Sequence, residues 1–366
     1  MTFIFIKRIL KSELTKTFSE KKAEGDIMAA SIKDVAKMAG VSVGTVSRAL
    51  NGYTDVSEKT RKKIKDISAD LGYTPNVSAK NLSSKNNKNV AMIASGLLDE
   101  KQTDDFTMAL IKGAYTYMNR HQLSIATYAI SSEDQKVKGF EEFCREFSLS
   151  GALLFGLKVT DKYVENICDS KIPCVTVDIR VEGEQIGSVI TDDERAFEEI
   201  TQYVIDRNHR KLILVYGRKQ AMVAKLRYRG FCKALKKNNI NIKDVPVLDS
   251  NFIETQAYEK TKELLLKKGQ DAGSVFICMS DITAFGVARA IRDCGYRVPE
   301  DFSVTGYDGI SFGRYVEPRI TTIDQNVMQK GYEAGKLLDR ILKGNATEKT
   351  VIVPHSLLER ESVRRL

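Results

Sequence analysis

The chain has 366 residues, which is enough for a small domain followed by two lobes of ordinary size with buried cores. Hydrophobic residues make up 42% and charged residues 29%, with only 6 prolines, so the composition is that of a folded protein and excludes general disorder. The net charge of +9 is unevenly placed, because residues 1–90 hold 17 Lys and Arg against 9 Asp and Glu. A localised basic segment suits a polyanionic partner, although a solvated basic surface has the same composition.

The cysteines and the N-terminus argue for a reducing compartment. The 6 cysteines lie in or near apolar runs without CxxC spacing, so neither disulfides nor a zinc site is indicated. The first residues contain an apolar run of only about five, which is short of a signal peptide core and of a membrane span. We therefore expect a cytoplasmic protein without a membrane segment. Residues 1–30 are predicted as an unstructured extension, and translation starting at Met28 stays open.

The segment 32–51 is predicted as two crossing helices joined by a tight turn. Small and branched apolar residues recur on its facing sides, and Gly40 can adopt the left-handed backbone that such a turn requires. Ser42 is a good N-cap for the second helix. We expect the exposed start of this helix to face a major groove of DNA, with the residues Ser42, Val43, Gly44, Thr45, Ser47 and Arg48.

A third helical pattern follows, capped by Ser57 and ended by Gly72 and Pro75. Its apolar residues point to one side: Ile64, Ile67 and Leu71. Four basic residues are expected on its outer side: Arg61, Lys62, Lys63 and Lys65. The polar stretch up to residue 88 has no core-sized apolar face and is predicted as a linker with one weakly helical segment.

From residue 89 onward, apolar runs typical of strands alternate with amphipathic helical patterns. Seven runs are evident, at 90–95, 123–129, 151–156, 173–178, 212–217, 274–279 and 302–308. This alternation predicts parallel sheets with helices on both faces, in two lobes. Because open parallel sheets bind ligands at the carboxyl ends of their strands, we expect a ligand near the loops that follow these runs.

The sequence offers little for catalysis. The 3 histidines (His121, His209 and His355) lie far apart and form no metal-binding or general-base pair, and a structural role is favoured for His209. No Walker-type phosphate loop, GxGxxG after the first strand or GxSxG motif is present. We therefore predict no enzyme activity, no catalytic residues, no metal site and no cofactor.

The stretch SIKDVAKMAGVSVGTVSRALNG, followed by VSEKTRKKI and LGYTPNVSAKNL, resembles the headpiece of the LacI/GalR family of transcriptional regulators nearly residue for residue. The resemblance implies a helix-turn-helix headpiece over 31–76. It implies that Val43 and Gly44 occupy the variable base-reading positions, with other contacts from Thr45, Ser47, Arg48 and Asn51. Arg48 is the candidate for reading guanine, and Val43 for contacting thymine methyl groups.

The resemblance also implies a hinge helix and linker over 77–88. In that family a leucine of the hinge enters the minor groove at the operator centre, and Leu82 is the matching residue. Such a wedge costs on the order of a few kcal/mol in unstacking, which the bent DNA offsets by contacting more protein. Ala79 would let two hinge helices pack closely, and Lys80 would lie near phosphate. The implied assembly is a homodimer on a pseudo-palindromic operator.

Less densely, the resemblance continues through MSDITAFGVARAIRDCGYRVPEDFSVTGYDG, PRITTIDQN and LLERESV. It implies that 89–366 form a two-lobed core like that of periplasmic sugar-binding proteins, which binds an effector and dimerises. The implied effector contacts are Phe106, Asp178, Arg227, Asp281 and Asp308. The acidity of this set argues against a strongly anionic effector, although Arg227 leaves some doubt.

Two departures from the family leave the effector class open. The first loop reads DEKQTDDF, so the ligand is met there by Asp104 or Asp105 or the loop is remodelled, and the chain has no Trp to stack on a sugar. A secreted binding protein would need an export signal and no basic headpiece, and a sugar-processing enzyme would need a base, a nucleophile or a metal. A regulator controlled by a phosphorylated carrier protein stays open.

The sequence therefore predicts a small all-α helix-turn-helix headpiece followed by a two-lobed α/β core with parallel sheets flanked by helices. The predicted function is that of a sequence-specific transcriptional regulator, in the first place a repressor, associated with the nucleoid when bound to its operator. A small polar effector such as a sugar would control it. Whether this effector releases DNA or tightens its binding stays open.

Overall fold

The computed structural model describes residues 30–50, 53–73, 89–97 and 105–366. The chain forms two compact units, Met1–Asn87 and Lys88–Leu366. Several predictions lie outside the described residues: the extension 1–29, the hinge and linker 77–88, Asp104, and the DNA contacts Asn51, Ala79, Lys80 and Leu82. The predicted domain limits at residues 76 and 88 therefore stay predictions.

In its described part the first unit consists of α1 (Ile32–Ala39), α2 (Val43–Leu50) and α3 (Glu58–Asp70). A capping box between Ser31 and Asp34 begins α1, and Gly40 ends it with φ 66°, the left-handed backbone predicted for the turn. The three helices enclose a small core of Val35, Ala36, Ala39, Val46, Ala49, Val56 and Ile64. The predicted helical headpiece is confirmed.

The second unit alternates strands and helices. Its first half contains β1 (Asn89–Ser95), α4 (Asp105–Arg120), β2 (Ser124–Ile130), α5 (Ser132–Val137), α6 (Phe140–Glu146), β3 (Gly151–Phe155), α7 (Lys162–Cys168), β4 (Cys174–Val177), β5 (Ile186–Ile190) and α8 (Asp193–Ile205). Its second half contains β6 (Leu212–Tyr216), α9 (Met222–Lys237), β7 (Val247–Asp249), α10 (Glu254–Lys268), β8 (Val275–Cys278), α11 (Asp281–Asp293), β9 (Ser303–Asp308), β10 (Thr321–Asp324), α12 (Val327–Leu342), β11 (Thr350–Ile352) and β12 (Ser356–Leu358).

These strands form two six-stranded sheets, which define two lobes. The sheet of lobe 1 has the order β11-β5-β4-β3-β1-β2 with all pairs parallel. The sheet of lobe 2 has the order β12-β10-β9-β8-β6-β7, and its edge strand β12 is antiparallel to β10. The chain passes between the lobes after β5, after β10 and between β11 and β12. The predicted two-lobed α/β core is confirmed.

Helices α4 and α12 approach each other closely on one face of the lobe 1 sheet. A Cβ at Gly113 would lie 1.9 Å from the Met328 carbonyl oxygen, and a Cβ at Gly331 would lie 2.0 Å from the Leu110 carbonyl oxygen. Glycine at both crossing points lets the two backbones touch. This contact attaches α12 to lobe 1, so α12 returns the chain to lobe 1 directly after β10 of lobe 2.

The described helices include none that combines the length and apolarity needed to cross a membrane. Within the same residues, no group of three or more His, Cys, Asp or Glu side chains is arranged to hold a metal ion. His209 is fully buried, with Nδ1 2.9 Å from Ser274 Oγ and Nε2 3.1 Å from the Arg364 carbonyl oxygen. Its contacts support the structural role predicted for it.

Candidate functional site

The start of α2 carries the predicted DNA-facing residues. The Ser42 hydroxyl accepts a hydrogen bond from the Thr45 backbone N–H at 3.1 Å, so Ser42 caps this helix as predicted. Val46 and Ala49 are buried in the headpiece core, and Val43 on the other side is 41% exposed. Gly44 is also exposed. The first turn of α2 therefore presents a surface of small, uncharged side chains that a groove of DNA can approach.

Arg48 lies one turn further along the same helix. Its Nε is 3.4 Å from the Asp55 carboxylate, and the two side chains are 51% and 57% exposed. An exposed ion pair of this kind contributes little to stability, so the guanidinium can exchange Asp55 for a DNA base or phosphate at small cost. Thr45 and Ser47 are half-buried beside it.

Among the four basic residues assigned to the outer side of α3, Arg61 has an internal role instead. Arg61 donates hydrogen bonds to the carbonyl oxygens of Tyr53 and Val56 at 2.8 and 3.3 Å. Lys63 donates to the Ala39 carbonyl oxygen at 2.7 Å, at the C-terminal end of α1 where a cation is favoured. The structure therefore corrects the expectation for Arg61. Lys63 is exposed as predicted and in addition ties α3 to α1.

In the second unit, a cavity of about 210 Å³ lies between the two lobes. Its walls come from loops that follow β1, β3 and β4 of lobe 1 and β6, β7, β8 and β9 of lobe 2, together with the first turns of α4 and α9. These loops stand at the carboxyl ends of parallel strands, where the sequence predicted a ligand. Residues from both lobes can therefore contact one small molecule.

Four of the five predicted effector residues line this cavity: Phe106, Asp178, Arg227 and Asp308. The fifth, Asp281, is 1% exposed and lies outside the lining. Its carboxylate accepts hydrogen bonds from Thr322 Oγ1 at 2.6 Å and from the Ile310 backbone N–H at 2.9 Å. The structure corrects the expectation for Asp281, because these bonds direct the carboxylate toward β10 and the loop after β9.

Arg227 is held almost entirely by lobe 2. Its Nε lies 2.8 Å from Asp193 Oδ1, and the two side chains are 4% and 2% exposed. Its Nη1 donates to the Met279 carbonyl oxygen at 2.5 Å, and its Cζ lies 3.8 Å from the centre of the Tyr307 ring. Its Nη1 also lies 3.8 Å from Asp308 Oδ1. Arg227 is thus fixed by lobe 2 and forms a positioned wall of the cavity.

A chain of hydrogen bonds connects the acidic residues of the two lobes. The fully buried Lys330 donates to Asp178 Oδ1 at 2.6 Å and to Gln325 Oε1 at 2.7 Å. Gln325 in turn donates through Nε2 to Asp308 Oδ1 at 2.6 Å. Asp178 belongs to lobe 1 and Asp308 to lobe 2, whereas Gln325 lies in the crossover between β10 and α12. The chain therefore connects a carboxylate of lobe 1 with a carboxylate of lobe 2.

Sequence reasoning missed Gln325 and Lys330. Lys330 occupies a position of α12 that its periodicity assigns to the apolar face, together with Val327 and Ala334. A lysine on such a face is the signal that a buried acidic partner exists elsewhere in the fold. Gln325 falls in PRITTIDQN, which the resemblance covered without assigning the residue a role.

Unusual backbone conformations converge on the cavity. Asp178 and Phe252 have φ values of 63°, and Asp308 has φ 120°, although none of them is glycine. Non-glycine residues in this region carry strain that tends to be retained at ligand-binding sites. Burial also raises the pKa of Asp308 to about 8, against smaller lowering effects of Arg227, Gln325 and Lys330. Both features favour a binding role for Asp308.

The charges of the lining differ from the expected acidity. Lys158 and Arg218 line the cavity in addition to Arg227, whereas the carboxylates of the lining are those of Asp178 and Asp308. Lys158 follows β3 and Arg218 follows β6, so both occupy the strand ends at which a ligand was expected. The expectation of an acidic cavity is therefore wrong, because these two loops contribute cations.

Hydrogen bonds between described residues join the two lobes beside the cavity. The Val159 backbone N–H donates to the Gln220 carbonyl oxygen at 3.1 Å. Elsewhere Asp105, at the start of α4, accepts from Ser311 Oγ at 2.9 Å and from the Phe312 backbone N–H at 3.3 Å. These hydrogen bonds join lobe 1 to lobe 2 beside the cavity.

Comparisons with known proteins agree with this architecture. Residues 31–76 match the family of bacterial regulatory proteins of the lacI type, and residues 201–363 match a periplasmic binding protein-like domain. The HTH-type transcriptional regulator MalR of Clostridium butyricum is 30% identical over 338 residues, which cover 90% of this chain and 98% of MalR. The HTH-type transcriptional repressor PurR of Mannheimia succiniciproducens is 29% identical over 339 residues, which cover 92% of this chain and 99% of PurR.

Two solved structures resemble the protein over most of its length. The lac repressor dimer bound to operator and the anti-inducer ONPF has a TM-score of 0.79 at 25% identity, covering 92% of this chain and 99% of its own. The transcriptional regulator CelR in complex with cellobiose has a TM-score of 0.67 at 25% identity, covering 91% and 99%. By its sequence relatives and its fold, the chain belongs to the LacI family of DNA-binding transcriptional regulators, and it is not an enzyme.

Proposed function

We propose that the protein is a repressor that binds a pseudo-palindromic operator as a homodimer, and that a small polar effector such as a sugar controls its DNA affinity. The observation that carries the effector role is the cavity between the lobes, lined by Asp178 and Asp308 and coupled through Lys330 and Gln325. In this proposal the protein works in the cytoplasm, where its operator is found.

The effector contacts follow from the chemistry of the lining. The carboxylates of Asp178 and Asp308 accept hydrogen bonds from hydroxyl or N–H groups of the ligand. Phe106 offers a ring face, and the Lys330 ammonium lies 5.8 Å from the centre of that ring. Arg227 supports the ligand as a fixed wall. That CelR was solved with cellobiose supports a sugar-like effector for this chain.

On DNA, the first turn of α2 enters the major groove, with Val43 and Gly44 over the bases. Arg48 reads guanine or binds phosphate after leaving Asp55, and contacts by Ser42, Thr45, Ser47 and Asn51 position the helix. The hinge residues Ala79, Lys80 and Leu82 act at the operator centre, where Leu82 opens a base step. The lac repressor dimer solved on its operator supports this arrangement.

Control arises because an effector contacts both lobes at once. Filling the cavity changes the free energy of lobe closure, and closure in turn alters the spacing of the hinges in the dimer. The coupling is reciprocal, so operator DNA changes effector affinity by the same factor as the effector changes operator affinity.

The decisive experiment is a fluorescence anisotropy titration of the full chain on DNA from around its own gene, at one salt concentration, against scrambled DNA. It is repeated with sugars and nucleobases. A preference for one fragment that a single compound changes supports the proposal. No preference over scrambled DNA under any of these conditions contradicts it and favours control by a carrier protein.

Matched variants localise the effect. D308N and F106A should remove the response to the compound while leaving operator affinity nearly unchanged. D249N is the control, because Asp249 pairs with Lys219 and does not line the cavity. For the hinge, L82A should weaken operator binding far more than binding to scrambled DNA, and equal loss on both would contradict the role of Leu82.

A further inference from the structure

Among the described residues, two cations of the cavity lack a carboxylate partner. Within the described parts of the chain, neither Lys158 nor Arg218 forms an ion pair, although both line the cavity. The other charges of the lining are engaged. Asp178 pairs with Lys330 at 2.6 Å, and Arg227 pairs with Asp193 at 2.8 Å.

The two cations belong to different lobes but to loops that touch. Lys158 lies in the loop after β3 and Arg218 in the loop after β6, and the Val159–Gln220 hydrogen bond of 3.1 Å joins these loops. Two like charges therefore line the same cavity from loops that are hydrogen-bonded to each other. Like charges in a partly buried site repel unless an anion lies with them.

Lys158 is held in position for such an anion. Its Nζ lies 3.0 Å from Ser132 Oγ, and this hydroxyl donates to Asp161 Oδ1 at 2.6 Å. Asp161 is 2% exposed and also accepts from Ser95 Oγ at 3.1 Å, so the support is anchored inside lobe 1. An ammonium group has three donors, of which this contact uses one. The other two donors remain for a ligand. Asp161, which is connected to Lys158 through Ser132, offsets part of the positive charge of the ammonium group.

Arg218 provides the stronger recognition element. In the described part of the chain its guanidinium makes no side-chain hydrogen bond, whereas the neighbouring Lys219 is paired with Asp249 at 2.9 Å. Guanidinium donors form a planar fork that matches a carboxylate or phosphate group. A free arginine at the rim of a half-enclosed cavity therefore favours an anionic ligand group.

The negative charge of Asp308 is offset by Arg227. Asp308 Oδ1 lies 3.8 Å from Arg227 Nη1 and accepts a hydrogen bond from Gln325 Nε2 at 2.6 Å, and burial raises the pKa of this carboxyl group. Among the described residues, the charges of the lining that lack an ion-pair partner are therefore those of Lys158 and Arg218.

We propose that the effector is an anionic polyol, with a carboxylate or phosphate group held between Lys158 and Arg218 and hydroxyl groups directed toward Asp178 and Asp308. The proposal rests on the effector role of the cavity. It narrows the effector from polar molecules in general to sugar acids or sugar phosphates. The anion joins the two loops, so its binding favours the closed cleft.

The test compares ligand pairs that differ in one anionic group, on the full chain, by isothermal titration calorimetry at constant ionic strength. The pairs are glucose with glucuronate, galactose with galacturonate, and ribose with ribose 5-phosphate, which separates carboxylate from phosphate. An anionic member should bind at least ~10-fold more tightly than its neutral counterpart, because hydrogen bonds to charged groups contribute more. Equal or tighter binding of the neutral member overturns the proposal.

Variants assign the effect to the two loops. R218Q and K158Q should lower the affinity for the anionic member by ~10-fold or more while leaving neutral sugars unaffected. R229Q and K225Q are matched controls, because both residues are exposed on α9 outside the cavity and should bind like the wild type. Unchanged binding of the anion by R218Q also overturns the proposal.

If none of the sugar probes binds, thermal unfolding in inorganic phosphate tests whether the cavity has an anion site. Phosphate should raise the thermal midpoint of the wild type above that in chloride at equal ionic strength, and R218Q should lose this increment relative to R229Q. Equal increments in both variants would mean an adventitious ion only and would overturn the proposal. A neutral sugar that changes operator affinity independently of Arg218 would support the proposed repressor function and overturn the proposal of an anionic effector. Binding of an anion at Arg218 without any change in operator affinity would support the anion site and contradict the proposed control of DNA binding.

Discussion

The ammonium group of Lys330, which has no exposed surface, lies 2.6 Å from the carboxylate of Asp178. This pair fastens α12 to the end of β4 at the wall of the cavity. It also occupies the point where the chain returns from lobe 2 to lobe 1, next to Gln325. The stability of the core and the shape of the cavity therefore depend on the same buried charge.

We expect K330M to destabilise the core by about 3–5 kcal/mol, because removing one partner of a buried pair leaves the other without compensation. Urea unfolding followed by circular dichroism measures the loss. K336M on the same helix is the control, since Lys336 is exposed and its pair with Glu333 should contribute less than about 1 kcal/mol. Similar losses in both variants would contradict the importance assigned to Lys330.

G331A should destabilise the protein by about 1–3 kcal/mol, because its Cβ would lie 2.0 Å from the Leu110 carbonyl oxygen and would force α4 and α12 apart. G335A, one turn along α12, should cost less, since its nearest contact is the Tyr117 Cβ at 3.2 Å. Thermal unfolding of both variants gives the comparison, and a G331A protein as stable as G335A would argue against the close helix crossing.

R48A should weaken specific DNA binding by about 1–3 kcal/mol, the usual loss for an arginine that reads a base. Folding stability should stay nearly constant, because the Arg48–Asp55 pair is exposed. The matched variant D55A breaks the same pair but keeps the guanidinium, so its operator affinity should equal or exceed that of the wild type. Anisotropy at one salt concentration measures all three proteins, and a parallel loss in D55A would show that the pair itself matters.

Stability should depend on pH through Asp308. Burial raises the pKa of this carboxyl group from 3.8 to about 8, so the folded state retains a proton that the unfolded state has lost. This contribution is fully present below pH 3.8 and disappears as the pH rises through 8, hence stability falls across that interval. Burial likewise raises the pKa of Asp281 to about 7, which adds to the same fall.

D308N isolates the contribution of Asp308, because the amide has a similar shape and does not titrate. The variant should lose less stability than the wild type between pH 5 and pH 8, an interval within which the raised pKa acts. Chemical unfolding at a series of pH values measures it. An identical pH profile for both proteins would show that Asp308 is already ionised throughout, held so by Arg227.

The sequence alone was sufficient wherever structure depends on neighbours along the chain. The turn at Gly40, the caps at Ser42 and Ser57, and the helical headpiece follow from local backbone preferences and spacing, and the structure has them. The seven predicted apolar runs became β1, β2, β3, β4, β6, β8 and β9. Six of them, all except β2, are interior strands buried on both faces, so their continuous apolar character identifies them. β2 is an edge strand with mostly exposed residues.

Other strands escaped prediction. β7, β11 and β12 have 3 residues each and lie at the edges of their sheets, and β10 has 4. β5 (Ile186–Ile190) contains a glycine and a serine and no long apolar run. Segments this short are strands only because a neighbouring strand supplies hydrogen-bond partners, which are distant in sequence.

Some features of the cavity could likewise be predicted from the sequence, and others depend on the tertiary structure. That a ligand site lies at the strand ends follows from the alternation of strands and helices, and four predicted residues line it. Which charges are cancelled there is a tertiary property, since Asp178 pairs with a lysine 152 positions away and Arg227 with Asp193 34 positions away. The sequence shows that a charged residue is present, but its ion-pair partner and its burial depend on folding. Only the folded chain therefore turns Asp281 inward and leaves Arg218 without an ion pair among the described residues.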